Sequence, residues 1–166
     1  MGKCGREWEM MLSGEFNVIL DDKNRVTLPA ALRKDLDSIS VVVSKGDDEC
    51  LWLYTSSKWE ELVANPIRKY AVPFSKKGRR ALRKYIAPSQ TIEIDKAGRI
   101  LISENLLEYA GISKECVVIG QLEYIEIWDK ARYTEYCDEG NEDNLNEFDA
   151  AAEELSQIIK KERGID

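Results

Sequence analysis

The sequence predicts an α+β fold, rich in strands, in which one small unit is built twice in tandem and followed by a helical tail. Three observations carry that expectation. The phrase Asp-x-x-x-Arg, set between two runs of β-formers, occurs as Asp21 and Arg25 and returns 74 residues on as Asp95 and Arg99. Slid against itself by that offset without a gap, residues 18–54 meet residues 92–128. Identities fall at Asp21/Asp95, Arg25/Arg99, Leu32/Leu106, Val43/Val117, Gly46/Gly120 and Glu49/Glu123. The apolar positions Leu20, Val26, Leu28, Leu51 and Leu53 meet Ile94, Ile100, Ile102, Ile125 and Ile127, so the copies share a core pattern as well as a loop.

Each element has a local reason. Residues 15–20 alternate in the strand manner, 21–24 are a polar turn and 25–28 a second short strand, which together predict a hairpin. Pro29 fits the first turn of a helix, where its missing N–H costs nothing, and Ala30, Ala31 and Leu32 continue that helix to about residue 36. Residues 39–44 are a β-branched run, 45–48 supply turn chemistry, and 50–54 form another strand with Leu51 and Leu53 on one face. The second copy repeats the order, with strands at 91–94 and 99–102, a helix near 103–110 stopped by Gly111, and strands at 115–119 and 124–128.

Between the copies, Ser57-Lys58-Trp59-Glu60 has the form of a capping box, and the basic stretch 76–85 predicts a further helix, with Pro66, Pro73 and Pro88 as punctuation. Residues 130–136 predict a short helix equivalent to the one opening near Lys58. The last segment sets Leu145, Phe148, Ala152, Leu155 and Ile158 at helical spacing among acids, an amphipathic helix that needs a surface. The expected organisation is therefore an extension (1–10), a first unit (11–61), a basic helical connector (62–88), a second unit (89–136) and an acidic tail (137–166). A unit near fifty residues buries too little to stand alone, so the two lobes, or several chains, are expected to share a core and the chain to self-associate.

Composition removes several function classes. With no histidine in the chain, the usual general base, the commonest metal ligand and every Ser-His or Cys-His nucleophile are missing. Cys4, Cys50, Cys116 and Cys137 are too scattered for a zinc knuckle or redox motif and read as reduced structural thiols. No metal, cofactor or enzymatic activity is expected. No apolar run approaches a membrane span and no leader pattern is seen, so a soluble intracellular protein is expected.

Charge is informative by place. The net value is −7, yet residues 62–92 hold no Asp or Glu while Arg68, Lys69, Lys76, Lys77, Arg79, Arg80, Arg83 and Lys84 supply eight positive charges. Residues 133–159 hold no Lys or Arg, and nine acids run from Glu135 to Glu154. Such segregation marks a polyanion-binding body with an acidic appendage.

The residues 11–16 (Met-Leu-Ser-Gly-Glu-Phe), Leu20-Asp21-Asp22-Lys23-Asn24-Arg25-Val26-Thr27-Leu28-Pro29, Leu51-Trp52-Leu53-Tyr54 and Ile94-Asp95-Lys96-Ala97-Gly98-Arg99-Ile100-Leu101-Ile102 resemble the MraZ family of bacterial transcriptional regulators over roughly residues 11–136. The resemblance implies two tandem swapped-hairpin AbrB-like units interlocked into a small pseudo-symmetric β-barrel, with connecting helices and a C-terminal helix. It also implies ring-like homo-oligomers that bind double-stranded DNA at direct repeats, usually repressing the division and cell-wall gene cluster. A cytoplasmic, nucleoid-associated protein follows. The chain departs from the family pattern at Asn24, where glycine is usual, and in its lysines, at Lys23 in one loop and one position earlier, at Lys96, in the other.

Arginine is the side chain best suited to bidentate contact with guanine O6 and N7, which makes Arg25 and Arg99 the candidate reading residues. Asp21 and Asp95 would orient them, and Lys23, Asn24 and Lys96 would touch phosphate or neighbouring base edges. Lys76, Lys77, Arg79, Arg80 and Arg83 are secondary candidates for phosphate contact. The pair could instead merely brace each turn, but its retention in both copies while most loop neighbours changed favours function. Trp52, Trp59, Trp128, Tyr54 and Tyr133 read as packing residues. The alternatives are an AbrB-type antitoxin-like regulator, which the tandem repeat argues against, and an oligomeric scaffold that binds protein through its tail.

Overall fold

The computed structural model describes residues 11–36, 39–70, 75–138 and 142–164. The extension before Met11 lies outside the described residues. By internal packing the chain divides into a unit of Met1–Lys130 and a second of Ala131–Asp166.

In the first unit the strands are β1 (Glu15–Ile19), β2 (Arg25–Thr27), β3 (Ser40–Lys45), β4 (Leu51–Thr55), β5 (Gln90–Glu93), β6 (Arg99–Leu101), β7 (Glu115–Gly120) and β8 (Ile125–Asp129). They form a six-stranded antiparallel sheet in the order β1-β7-β8-β4-β3-β5 and a two-stranded ribbon, β2-β6. Exchanging the copies reverses the sheet order and leaves it unchanged. The outer strands β1 and β5 continue through the Asp21 and Asp95 turns into β2 and β6, so the ribbon joins both sheet edges and closes a small pseudo-symmetric barrel.

The plain hairpin read locally over residues 15–28 is corrected to the swapped form that the family resemblance implies. Its turn forms, with the Asp21 N–H donating to the Arg25 carbonyl at 2.9 Å, but the flanking strands part company. β1 pairs with β7 and β2 with β6, each a partner from the other copy. The reason is burial. Val26 and Ile100 are fully buried in the middle of the ribbon, and both lie in one core with Leu20, Leu28, Val41, Val43, Leu51, Leu53, Ile102, Leu106, Val118, Ile125 and Ile127. Neither copy owns enough apolar surface to enclose its own ribbon strand, and the swap supplies the missing wall within one chain.

The structure also corrects part of the repeat. Val18 pairs with Cys116, whereas its equivalent Ile92 pairs with Val41, which puts β3 and β7 in correspondence at an offset of 75 residues, not 74. Val43 is therefore the equivalent of Val118, and its identity with Val117 does not survive folding. Gly46 and Gly120 likewise are not equivalent. The cause is a compensated pair of length changes: three residues (37–39) connect the first helix to β3 but four (111–114) precede β7, while five (46–50) join β3 to β4 and four (121–124) join β7 to β8.

Helix α1 (Ala30–Leu36) and its equivalent α5 (Glu104–Ala110) bury Leu32, Leu36, Leu106, Leu107 and Ala110. Pro29 stands one step before the predicted first turn, at the cap, where its carbonyl accepts from the Leu32 and Arg33 N–H groups. Ser103 caps α5 at the equivalent place, and Gly111 ends that helix in the left-handed conformation at φ +62°.

On the opposite sheet face lies a second core of Val42, Tyr54, Trp59, Val63 and Ala64, with Trp52, Ile67, Tyr85, Ile86 and Tyr124 packed on it. Trp52 stacks on Tyr85 and Tyr54 on Tyr124, so these aromatics are packing residues as expected. The connector helices cover this face. The capping box predicted at Ser57 is replaced by Thr55, whose hydroxyl accepts from the Lys58 N–H at 3.3 Å, so α2 (Ser56–Trp59) begins earlier. A π-type turn over Glu60–Ala64 carries it into α3 (Asn65–Tyr70), and another over Leu82–Ile86 extends α4 (Lys76–Ala81). Each π-type turn closes one residue before a proline, Pro66 or Pro88. Proline has no N–H for the ordinary ladder, and the widened turn absorbs the mismatch.

Of the expected thiols, Cys50 and Cys116 are buried and Cys137 is exposed, all three unbridged. Burial pushes the Cys116 thiol up to about 11, with the Asp129 carboxylate adding to it. Cys50 is pushed up further, by burial first and then by the Glu126 carboxylate beside it. Among the described residues no helix is long and apolar enough to cross a membrane.

The second unit holds most of α6 (Lys130–Tyr136) and all of α7 (Glu142–Glu162). The amphipathic tail helix forms as expected and leaves Leu155, Ile158 and Ile159 exposed. Leu145 and Phe148 lie outside the residues whose side chains are described.

Candidate nucleic-acid interface

The two Asp-x-x-x-Arg turns are built alike. In the first, Asp21 Oδ1 accepts from the Lys23 and Arg25 backbone N–H groups, each at 2.9 Å, and Oδ2 accepts from Arg25 Nε at 2.8 Å. In the second, Asp95 Oδ1 accepts from the Ala97 and Arg99 N–H groups at 2.9 Å, and Oδ2 accepts from Arg99 Nε at 2.8 Å. One carboxylate thus shapes the turn with one oxygen and aims the arginine with the other. Nε is the atom held on the carboxylate, and the Arg25 and Arg99 side chains remain 27% and 35% exposed. The terminal Nη edge of a guanidinium is the fork that matches two acceptors on a guanine.

Electrostatics agrees with the geometry. Partial desolvation pushes the Asp21 carboxyl up, but the Arg25 N–H, the Arg25 guanidinium and the Lys23 N–H outweigh it and hold the group below its ordinary value. Asp95 is held low first by the Arg99 N–H, against a smaller opposing desolvation, with help from the Arg99 guanidinium and the Ala97 N–H. Both carboxylates stay charged at neutral pH and keep their arginines in place.

The turns also clasp one another. The Leu28 N–H donates to the Gly98 carbonyl at 2.8 Å, and the Ile102 N–H donates to the Asn24 carbonyl at 2.9 Å. Each loop tip is therefore tied to the end of the other copy's ribbon strand, and the structure brings Arg25 and Arg99 onto one β-ribbon. Asn24 adopts φ +59°, which asparagine tolerates better than most residues, and Gly98 takes the equivalent place at φ +79°. Lys23 and Lys96 are exposed on the tips.

Arg33 belongs to this site and sequence reasoning missed it. It projects from α1 in the first copy onto the second loop, so close that a Cβ added at Gly98 would lie 2.2 Å from its Nη1. Its Nε is buried and lacks a hydrogen-bond partner among the described residues. The available signal is a break in the repeat, because the residue 74 positions on is the buried Leu107. The loops consequently differ in charge. Asp21, Asp22, Lys23 and Arg25 sum to zero, whereas Asp95, Lys96 and Arg99 sum to +1 before Arg33 is added.

The secondary candidates Lys76, Lys77, Arg79, Arg80 and Arg83 are exposed but not brought to the loops. Their helical segment packs through Tyr85 and Ile86 on the sheet face opposite the core that holds the ribbon. Among the connector cations, Arg68 is engaged with Glu60 at 2.8 Å and Lys84 with Asp47 at 3.1 Å.

Comparison with known proteins adds an independent finding. The family model described as "MraZ protein, putative antitoxin-like" matches the chain twice, at residues 11–84 and 86–156. A protein of Treponema denticola named transcriptional regulator MraZ is 37% identical over 147 residues, covering 89% of this chain and 99% of its own length. Proteins of the same name from Moorella thermoacetica (36% identical, 87% and 96% covered) and Clostridium beijerinckii (38%, 89% and 99%) are similar to the same extent. With two family matches laid end to end over a duplicated, strand-swapped fold, the chain belongs to the MraZ family, whose members carry two tandem AbrB-like domains.

Proposed function

We propose that this chain is a sequence-specific, double-stranded-DNA-binding transcriptional regulator whose reading heads are Arg25 and Arg99. The carrying observation is the identical three-bond clamp on each arginine, Asp21 on one and Asp95 on the other. A turn that needed only bracing has no reason to spend the same Oδ2 to Nε bond twice, since the Oδ1 bonds to the backbone already close it and ion pairs this open to solvent contribute little to stability. A two-stranded β-ribbon fits the major groove of B-form DNA, and the β2-β6 ribbon carries both arginines. The names of the relatives support the regulator reading.

Lys23, Asn24 and Lys96 contact phosphate or adjoining base edges at the loop tips, and Arg33 adds a cation beside the second loop. Lys76, Lys77, Arg79, Arg80 and Arg83 serve phosphates away from the ribbon, on DNA that continues past it or is held by another copy. A single ribbon reads few base pairs, so a ring-like homo-oligomer on direct repeats supplies affinity by multivalency. Repression of the chain's own division and cell-wall gene cluster is the expected outcome, in the cytoplasm and at the nucleoid, and no cofactor is needed.

The test is binding of wild type and Arg25→Ala/Arg99→Ala to the DNA upstream of the chain's own gene across a salt series, with oligomer size measured in parallel. Specific binding with a steep salt slope, lost in the double variant at unchanged size, supports the reading. Equal binding by both, or by neither, removes it. The exposed Leu155, Ile158 and Ile159 of α7 favour one second reading, a protein-docking tail, and equal binding would move that reading forward.

A further inference from the structure

The ribbon has a second pair of outward residues. Val26 and Ile100 point into the core, so by strand alternation Arg25, Thr27, Arg99 and Leu101 share the outer face. The register sets Arg25 opposite Leu101 and Thr27 opposite Arg99. The backbone bonds from Ile102 to Asn24 and from Leu28 to Gly98 fall on the flanking positions. Arg25/Leu101 and Thr27/Arg99 are therefore non-hydrogen-bonded pairs, the class in which cross-strand side chains approach most closely. Each arginine has a methyl-bearing neighbour across the ribbon, Leu101 or Thr27, and the acids that hold the arginines lie in the turns beyond the strands.

Leu101 is 59% exposed. A lone exposed leucine needs no explanation by itself. This one, however, stands directly across from a clamped arginine on the outer face of the ribbon, where the other copy supplies threonine.

We propose that Leu101 and Thr27 are specificity-determining residues that read the C5-methyl group of a thymine adjacent to the guanine held by the arginine opposite. The inference rests on the DNA-reading function argued above. Cross-strand neighbours in such pairs lie about 4.5–5.5 Å apart at Cβ, comparable to the roughly 3.4 Å rise between base pairs, so an arginine and its partner address adjacent pairs. The major groove presents the thymine methyl beside guanine O6 and N7, and apolar side chains are what recognise it. Leucine covers a methyl more fully than threonine does, so the head made of Arg25 and Leu101 discriminates thymine more strongly than the head made of Arg99 and Thr27.

The probe is the duplex that wild-type protein selects from a randomised library, with each thymine replaced in turn by deoxyuridine, which deletes the methyl group alone. Wild type is expected to lose about threefold to fivefold in affinity at one such position, the worth of one buried methyl. Leu101→Ala should bind the parent duplex more weakly by a similar factor and show no loss at that position, and Leu101→Met should restore the sensitivity. If Leu101→Ala keeps the wild-type uridine profile while Arg25→Ala loses specificity, the arginine reading stands and this inference falls. If Leu101→Ala changes oligomer size and weakens all duplexes equally, Leu101 is a subunit contact and the inference also falls. Failure of wild type to select any sequence would overturn both.

Discussion

Gly98→Ala is the substitution whose consequence can be worked most fully from the structure. Gly98 sits at φ +79°, a conformation that costs a residue with a Cβ about 1–2 kcal/mol. The added Cβ would lie 2.2 Å from Arg33 Nη1, 2.5 Å from Cζ and 2.7 Å from Nε. Those atoms are the far end of a flexible side chain, and Nε has no described partner to lose, so the guanidinium swings aside at little further cost. The sum is therefore the backbone cost, about 1–2 kcal/mol, or roughly 2–8 °C in Tm for a chain of this size. Calorimetry on wild type, Gly98→Ala, Arg33→Ala and the double variant checks it. The two substitutions should add to within about 0.5 kcal/mol, because Arg33 yields whether or not it is truncated. Full recovery of Tm in the double variant would show that the steric contact dominates and refute the reasoning, as would an unchanged Tm in Gly98→Ala. The same variant should weaken DNA binding without changing oligomer size, since it disturbs only the second head.

Three further outcomes follow from the geometry. Ile100→Ala, at a fully buried position of the swapped ribbon, should lose about 2–5 kcal/mol in urea unfolding, and a loss below about 1 kcal/mol would mean the ribbon is not part of the shared core. In a thiol-labelling time course at mildly alkaline pH, Cys137 should react at once while Cys50 and Cys116, buried and pushed up, react only on unfolding. Asp21 and Asp95 have folded-state pKa values below the unfolded one, so their contribution is present above the ordinary carboxylate pKa of about 4 and lost as pH falls through the lowered value. DNA binding should therefore be flat from about pH 6 to 8, and a carboxylate-dependent step in that interval would contradict the clamp.

Much of the fold is legible in the sequence because local chemistry and repetition agree. Asp-x-x-x-Arg forms the turn from its own carboxylate, and Gly111 stops α5 without help from distant residues. Local pattern alone hides which copy each strand pairs with, and only the family resemblance supplies the swap. An Asp-x-x-x-Arg turn reads the same whether its strands pair together or separate, and only the shared core decides. The slip of β3 against β7 is hidden for a related reason. Val41, Val42 and Val43 are all buried, so the strand shows no alternation that would reveal a one-residue shift. An ungapped comparison also returns to register after the compensating loop. Arg33 escaped notice because its partner, Gly98, lies in the other copy, far along the chain.

The measurement that bears most directly on the account is a scan of the selected duplex with 7-deazaguanine, which removes the N7 acceptor from one guanine at a time. Wild type should lose affinity at two sets of guanines, Arg25→Ala should become insensitive at one set only, and Arg99→Ala at the other. Identical profiles for wild type and both variants, with binding intact, would show that Asp21–Arg25 and Asp95–Arg99 brace their turns and read nothing.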